Sequence, residues 1–214
     1  CRTGRGGCET SEHLSERHKA VTTLRPSSKR PTGEKNLEAG VQALAVATIN
    51  RLITLFDDAF RGLSVCVDLA ESERLAMVVQ FAMDSKVRAY HTTAHIFGLC
   101  ERLNPHQTLA ALFHDLVYYQ LDDGPPKSTE NILHGVVCEH DGAQVLQPFG
   151  PDDSALALCA GVFDVVPGQT LLVYAGLNEF LSAVAAARLL QPLLPVHDVL
   201  AVVVGVVAYL ALAL

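Results

Sequence analysis

Tryptophan is absent from this chain, and phenylalanine and tyrosine together supply only 6% of it. A β-sandwich core leans on such residues and on β-branched alternation, and no alternating apolar–polar run of useful length is present. No internal repeat is visible. The six cysteines (Cys1, Cys8, Cys66, Cys100, Cys138 and Cys159) include no C-x-x-C pair, which excludes a zinc ribbon or a thioredoxin-type site. Neither G-x-x-x-x-G-K-[ST] nor G-x-G-x-x-G occurs, so phosphate binding through a glycine-rich loop has no support. The opening residues contain no apolar run and do not form a secretory signal.

What is present is half hydrophobic and rich in alanine, leucine and valine, a composition for close helix packing. In 214 residues that is enough for one sizeable core. The formal charge of −7 argues against a protein that coats nucleic acid, and none is expected as a partner. Charge is uneven, however: residues 1–35 hold eight basic and four acidic side chains, a net of +4, leaving −11 for the remainder. With its Ser, Thr, Gly and Pro content, that stretch reads as a disordered basic leader before a helical domain at 36–214. Cys66, Cys100, Cys138 and Cys159 sit among apolar neighbours and read as small buried thiols, which points to a reducing compartment, the cytoplasm.

From Asn36 apolar residues recur at helical spacing through AGVQALAVATINRLITLF, and again in SERLAMVVQFAM with Glu71 and Ser72 in the first turn. A third helix is expected over about 91–103, stopping before Asn104-Pro105. A fourth carries TLAALFHDLVYYQ, and DDGPPKSTEN breaks it. Further helices are expected at about 130–147, 152–164 and 170–190. The fold class is therefore all-α, a bundle of seven or eight helices. Val199–Leu214 is a run of sixteen residues without a charge. A membrane span needs about 20, so the preferred reading is a buried terminal helix, with a truncated span as the alternative.

Four histidines and an aspartate crowd Tyr90–Tyr119, YHTTAHIFGLCERLNPHQTLAALFHDLVYY. On a helix His91 and His95 share a face, and the next helix would offer His114 and Asp115 to the same site. Asp115 lies between ALF-H and LVYY, and a buried carboxylate is costly unless it is paired or metal-bound. Two imidazoles and a carboxylate suit Mn, Fe, Co, Ni or Zn better than Ca, with Mg as an outside choice. Phosphates attract cations; Arg88, one turn from His91, is the first candidate clamp and Lys127 the second. His134 and His140 read as surface residues, and His106 as an exposed residue at a helix start. Of Tyr118 and Tyr119, at least one reads as plain core.

R-x-Y-H-x-x-x-H at Arg88–His95, followed by Phe113-His114-Asp115 and Tyr118, resembles the HD superfamily of metal-dependent phosphohydrolases. The likeness is to its small predicted bacterial group in particular. It spans about 85–190 and implies an HD-type helical bundle that hydrolyses a small phosphate mono- or diester, with a nucleotide among the candidates. It implies His95, His114 and Asp115 as metal ligands. The Tyr-His spacing is also similar to that of cyclic-nucleotide phosphodiesterases, which implies His91 as the general acid, its pKa lowered beside a cation; Asp115 would also orient the attacking hydroxide. The later A-D-x-L-S-A piece departs here: Leu177-Asn178-Glu179-Phe180-Leu181-Ser182-Ala183 puts Glu179 in the aspartate's place, with neutral Asn178 beside it. Asp164 is the alternative fourth ligand, and a site with no fourth protein ligand is the third possibility. The same resemblance admits a catalytically weak HD module that binds metal or nucleotide in a regulatory role. Oligomeric state is not readable.

Overall fold

A computed structural model describes residues 32–84, 88, 90–122 and 124–213, with side chains described from Gly40 to Ala208. The chain divides into two units, Cys1–Glu38 and Ala39–Leu214. The basic leader expected over 1–35 lies, up to residue 31, outside the described residues; helix α1 already begins at Thr32. The second unit is mostly helical with one small sheet.

Along the chain run α1 (Thr32–Gly62), α2 (Leu69–Met83), α3 (Thr93–Leu99) with a 3₁₀ turn at Cys100–Arg102, α4 (Pro105–Phe113), and the short α5 (Tyr119–Asp122) and α6 (Lys127–Glu130). Then come strands β1 (Val137–His140) and β2 (Ala143–Leu146), α7 (Ser154–Phe163), β3 (Thr170–Leu171), a kinked turn at Val173–Leu177, α8 (Asn178–Leu190) and α9 (Val196–Ala213). Helix α2 opens at Asp68, whose carboxylate accepts from the Glu71 N–H at 2.8 Å. Helix α4 opens with a capping box: Asn104 accepts from the Gln107 N–H at 3.0 Å, and the Gln107 side chain accepts from the Asn104 N–H at 3.1 Å. Pro105 occupies the first turn, where its missing N–H costs nothing.

Thr108–Phe113 of α4 are all buried, so this part of the helix is enclosed on every side, while Gln107 in its first turn is exposed. Phe56 of α1 meets Phe113 edge-on at 5.6 Å. Val199, Val202, Val203 and Val206 of α9 belong to the same core, as do Leu181 and Val184 of α8. Each such side chain contributes about 1.5–3 kcal/mol through burial. Gly205 lets α9 come close to α4, since a Cβ there would lie 2.7 Å from that of Ala110. Over its described side chains the uncharged run at 199–214 is thus a helix with one face in the core, while Leu200 and Val204 are exposed. Among the described residues no helix is long and apolar enough to cross a membrane.

Several expectations need correction. The segment expected as a helix at about 130–147 is mostly a hairpin. Asp141 and Gly142 both take positive φ, 52° and 77°, the signature of a tight type I′ turn, and His140 pairs with Ala143 across it. Strand β2 also pairs with β3, antiparallel, with Val145 opposite Thr170, so α8 starts at Asn178 rather than near 170. Of the four thiols taken as buried, Cys66 and Cys138 are exposed, Cys100 is half-buried and only Cys159 is enclosed. Burial pushes the Cys159 thiol up to about 12 and that of Cys100 to about 11.

Candidate metal centre

Helix α3 begins at Thr93, so His91 stands outside it, on the bend that leads in. Helix α4 ends at Phe113, with His114 as its C-cap. No glycine or proline explains that stop. In a continuing helix the Tyr119 N–H would bond the Asp115 carbonyl and the Val117 N–H the Phe113 carbonyl. Here the Tyr119 N–H is accepted by Asn178 Oδ1 at 2.9 Å, and the Val117 N–H by Ser182 Oγ at 3.0 Å. The carbonyl of Asp115 accepts from Arg88 at 2.7 Å. Buried backbone must find partners, and residues from other elements outcompete the helix for it.

The result brings His91, His95, His114 and Asp115 together. Asp115 Oδ2 lies 2.7 Å from His91 Nδ1, 2.9 Å from His114 Nε2 and 3.8 Å from His95 Nε2. Ligand atoms of His95, His114 and Asp115 all lie within 4.8 Å of one another. Ring centroids of His91 and Tyr118 are 4.4 Å apart, so Tyr118 walls the site, whereas Tyr119 packs against the core.

Burial works to raise the pKa of Asp115, yet hydrogen bonds from His114 and His91 outweigh it and hold the carboxyl well below the usual range. His91 is raised, chiefly by its hydrogen bond to Asp115, against burial and Arg88, with Glu179 adding to the rise. The expected lowering beside a cation is therefore reversed for the protein alone. His95 is lowered, by burial first and then by the neighbouring His114, and a neutral imidazole keeps a lone pair to offer a metal.

His114 also tests whether an ion fits. Its Nδ1 is 2.8 Å from the Ala111 carbonyl, which can only accept, so Nδ1 carries the hydrogen. A neutral ring then turns its Nε2 lone pair toward Asp115 Oδ2. Two lone pairs so close require a cation between them, a proton or a metal ion. The N, N, O donor set suits a divalent transition metal.

The other expected residues fall elsewhere. Glu179, half-buried in the first turn of α8, is outside the group of mutually close ligand atoms, although its charge reaches His91. Asp164 is an exposed C-cap of α7, in left-handed conformation. Lys127 is exposed at the start of α6. Arg88 is buried, and as a phosphate clamp it is corrected: Nε bonds Asp122 at 3.1 Å, Nη2 pairs with the other Asp122 oxygen, and the Asp115 and Leu116 carbonyls take donors at 2.7 and 3.4 Å. The last donor direction meets the Met83 sulfur at 3.5 Å.

Three contributors escaped the sequence reading. Asp122 lay hidden in a turn-forming run. Ser182 was matched only as part of the late A-D-x-L-S-A piece, with no role of its own. Asn178, weighed there as a weak ligand, instead caps backbone, and its amide also donates to Gln120 Oε1 at 2.8 Å. Their i, i+4 spacing on α8 was the available signal for Asn178 and Ser182. His106, expected to be exposed, bonds Asp198 at 2.7 Å, while His134 and His140 are exposed.

No protein-family model, no curated protein and no solved structure matches the chain. The centre is read from its own chemistry.

Proposed function

We propose that the unit Ala39–Leu214 is a metal-dependent hydrolase of HD type, acting on a small phosphate mono- or diester, with nucleotides among the candidate substrates. One observation carries the reading: three imidazole nitrogens from two helices and a bend converge on a single carboxylate oxygen, Asp115 Oδ2. His95, His114 and Asp115 would hold the ion, one of Mn, Fe, Co, Ni or Zn, with Mg as an outside choice. When bound there, such an ion supplies Lewis acidity toward a phosphoryl oxygen and makes a water molecule more acidic.

The chain's own groups do the rest. The Ala111 carbonyl fixes the His114 tautomer with Nε2 toward the site. His91, held by Asp115 and packed against the tilted ring of Tyr118, carries the proton that a departing alkoxide needs. Glu179 favours the protonated form of that ring. Four unpaired thiols among the described residues support a reducing compartment such as the cytoplasm.

A second reading rests on two placements: Arg88 is fully engaged by protein groups, and Glu179 stands apart from the ligand atoms. Both favour a module that binds metal or a nucleotide without turnover. A panel of phosphate esters, assayed with Mn²⁺, Co²⁺, Ni²⁺ or Zn²⁺, separates the two. Hydrolysis lost in Asp115→Ala supports the enzyme; binding of a metal or a nucleotide without hydrolysis of any ester supports the module; protein that binds no metal overturns the enzyme, and protein that binds neither metal nor nucleotide overturns the module as well.

A further inference from the structure

The centre's acidic ligand is not on a helix. Asp115 lies in five residues of irregular backbone, 114–118, of which Leu116 and Val117 are completely buried. Such a segment has no internal hydrogen-bond ladder to define its shape, so its conformation is set by whatever satisfies its N–H and C=O groups. From one side α8 accepts the N–H groups of Val117 and Tyr119 through Ser182 and Asn178. From the other side one guanidinium takes the carbonyls of Asp115 and Leu116. That guanidinium is in turn oriented by both oxygens of Asp122, thirty-four residues along the chain. The Arg88 side chain is 0% exposed and that of Asp122 6%, so neither is a surface charge adapting to solvent.

We propose that Arg88 and Asp122 form a positioning pair for the candidate metal centre: Asp122 holds the guanidinium fork, and the fork fixes the Asp115 backbone so that its carboxylate meets His95 and His114 before any ion arrives. The proposal rests on the metal-centre reading above and adds a role that neither residue would have as a phosphate clamp. A planar fork can bind a carboxylate in bidentate fashion and still direct donors at two carbonyls. A lysine ammonium, with three donors on one atom, cannot. The interaction also suits the end of α4, where the last carbonyls carry partial negative charge.

The molecule supplies its own control. Arg188, in the last turn of α8, makes a second, looser clamp, with one contact to Asp153 at 2.5 Å and the carbonyls of Ile132 and His134 at 2.5 and 3.2 Å. Ser182 of the same helix holds the Val117 N–H, and Arg188 is about 9 Å further along the axis. Arg188→Lys disturbs a clamp of this kind away from the ligands.

The test is a Co²⁺ titration of the full chain, read as both affinity and visible ligand-field spectrum. Arg88→Lys and the isosteric Asp122→Asn are expected to weaken Co²⁺ binding by about 10–100-fold, the range for groups that orient a ligand, and to alter the spectrum. Arg188→Lys should change neither. Wild-type affinity and spectrum in both site variants would overturn the pair's role while leaving the metal centre intact. Equal weakening in Arg188→Lys would overturn it too, by tracing the loss to general destabilisation. A wild-type chain that takes up no Co²⁺ removes the centre itself. Hydrogen exchange on the metal-free wild type needs no variant: the amides of Val117 and Tyr119 should exchange as slowly as those of α4, and rapid exchange there sinks the preorganisation.

Discussion

The two ends of α4 each carry a histidine–aspartate contact, and they differ in kind. At the start, His106 bonds Asp198 at 2.7 Å, and His197 reaches the other oxygen only at 3.6 Å, with its own side chain 77% exposed. At the other end three rings crowd a single oxygen, and His114 Nδ1 is already committed to a carbonyl. The first arrangement is satisfied by one proton shared between one donor and one acceptor, and it ties α4 to α9. The second sets three imidazole nitrogens against one carboxylate oxygen, and the His114 nitrogen that faces it needs a cation between them, a proton or a metal ion. Proximity of histidine and aspartate is thus a poor guide to chemistry; convergence with the tautomers already fixed is a better one.

The strongest way to break this contrast is to delete each carboxylate in turn. Asp115→Ala should lower metal retention by more than about 100-fold and abolish any hydrolysis, measured by metal analysis after dialysis and by ester assay. Asp198→Ala should leave metal content unchanged and cost about 1–3 kcal/mol in denaturant unfolding, because His106 loses its partner at the edge of the core. Equal metal content in both variants would erase the distinction.

Packing between the ends offers the next test. Gly205→Val should destabilise by about 1–3 kcal/mol, since α9 approaches α4 too closely for a branched side chain, while the centre still binds metal in the folded fraction. Titration sharpens the comparison further. In metal-free protein, NMR midpoints should lie above the ordinary imidazole value for His91 and below it for His95. The signs follow directly. The His91 contribution to stability is complete below pH about 6.5 and is lost as pH rises through the raised value. His95, harder to protonate when folded, opposes folding as pH falls below that same reference value. Asp115→Asn should bring the His91 midpoint down. The smallest effect is expected from Glu179→Gln: a slight fall in the His91 midpoint and a loss of activity of a few-fold. A loss as large as that of Asp115→Ala would make Glu179 a ligand.

The grouping of His95, His114 and Asp115 was legible because its spacing is local: His95 lies near the start of one helix, and His114–Asp115 at the end of the next. The hairpin was also legible in principle, since Asp141-Gly142 is a strong turn signal, but an apolar run on either side read as helix. Arg88 was misread for a different reason. Its role depends on Asp122, on Met83 and on the carbonyls of Asp115 and Leu116, none of which spacing along the chain could single out. The His106–Asp198 bond, spanning ninety-two residues, is equally invisible to periodicity. The end of α4 has no stop residue to read, because the stop is imposed by hydrogen bonds from Arg88, Asn178 and Ser182.

That imposed stop has a consequence for the order of assembly. Asn178 and Ser182 follow their backbone partners by fifty-nine and sixty-five residues. On a ribosome, Arg88 is made before Asp115, but the two side chains that accept the Val117 and Tyr119 N–H groups come long after it. A nascent chain ending near Asp122 has every local reason to continue coiling through Leu116, and its histidines and aspartate then diverge around the coil. Those two N–H groups meet their native partners only late in synthesis, once α8 has been made.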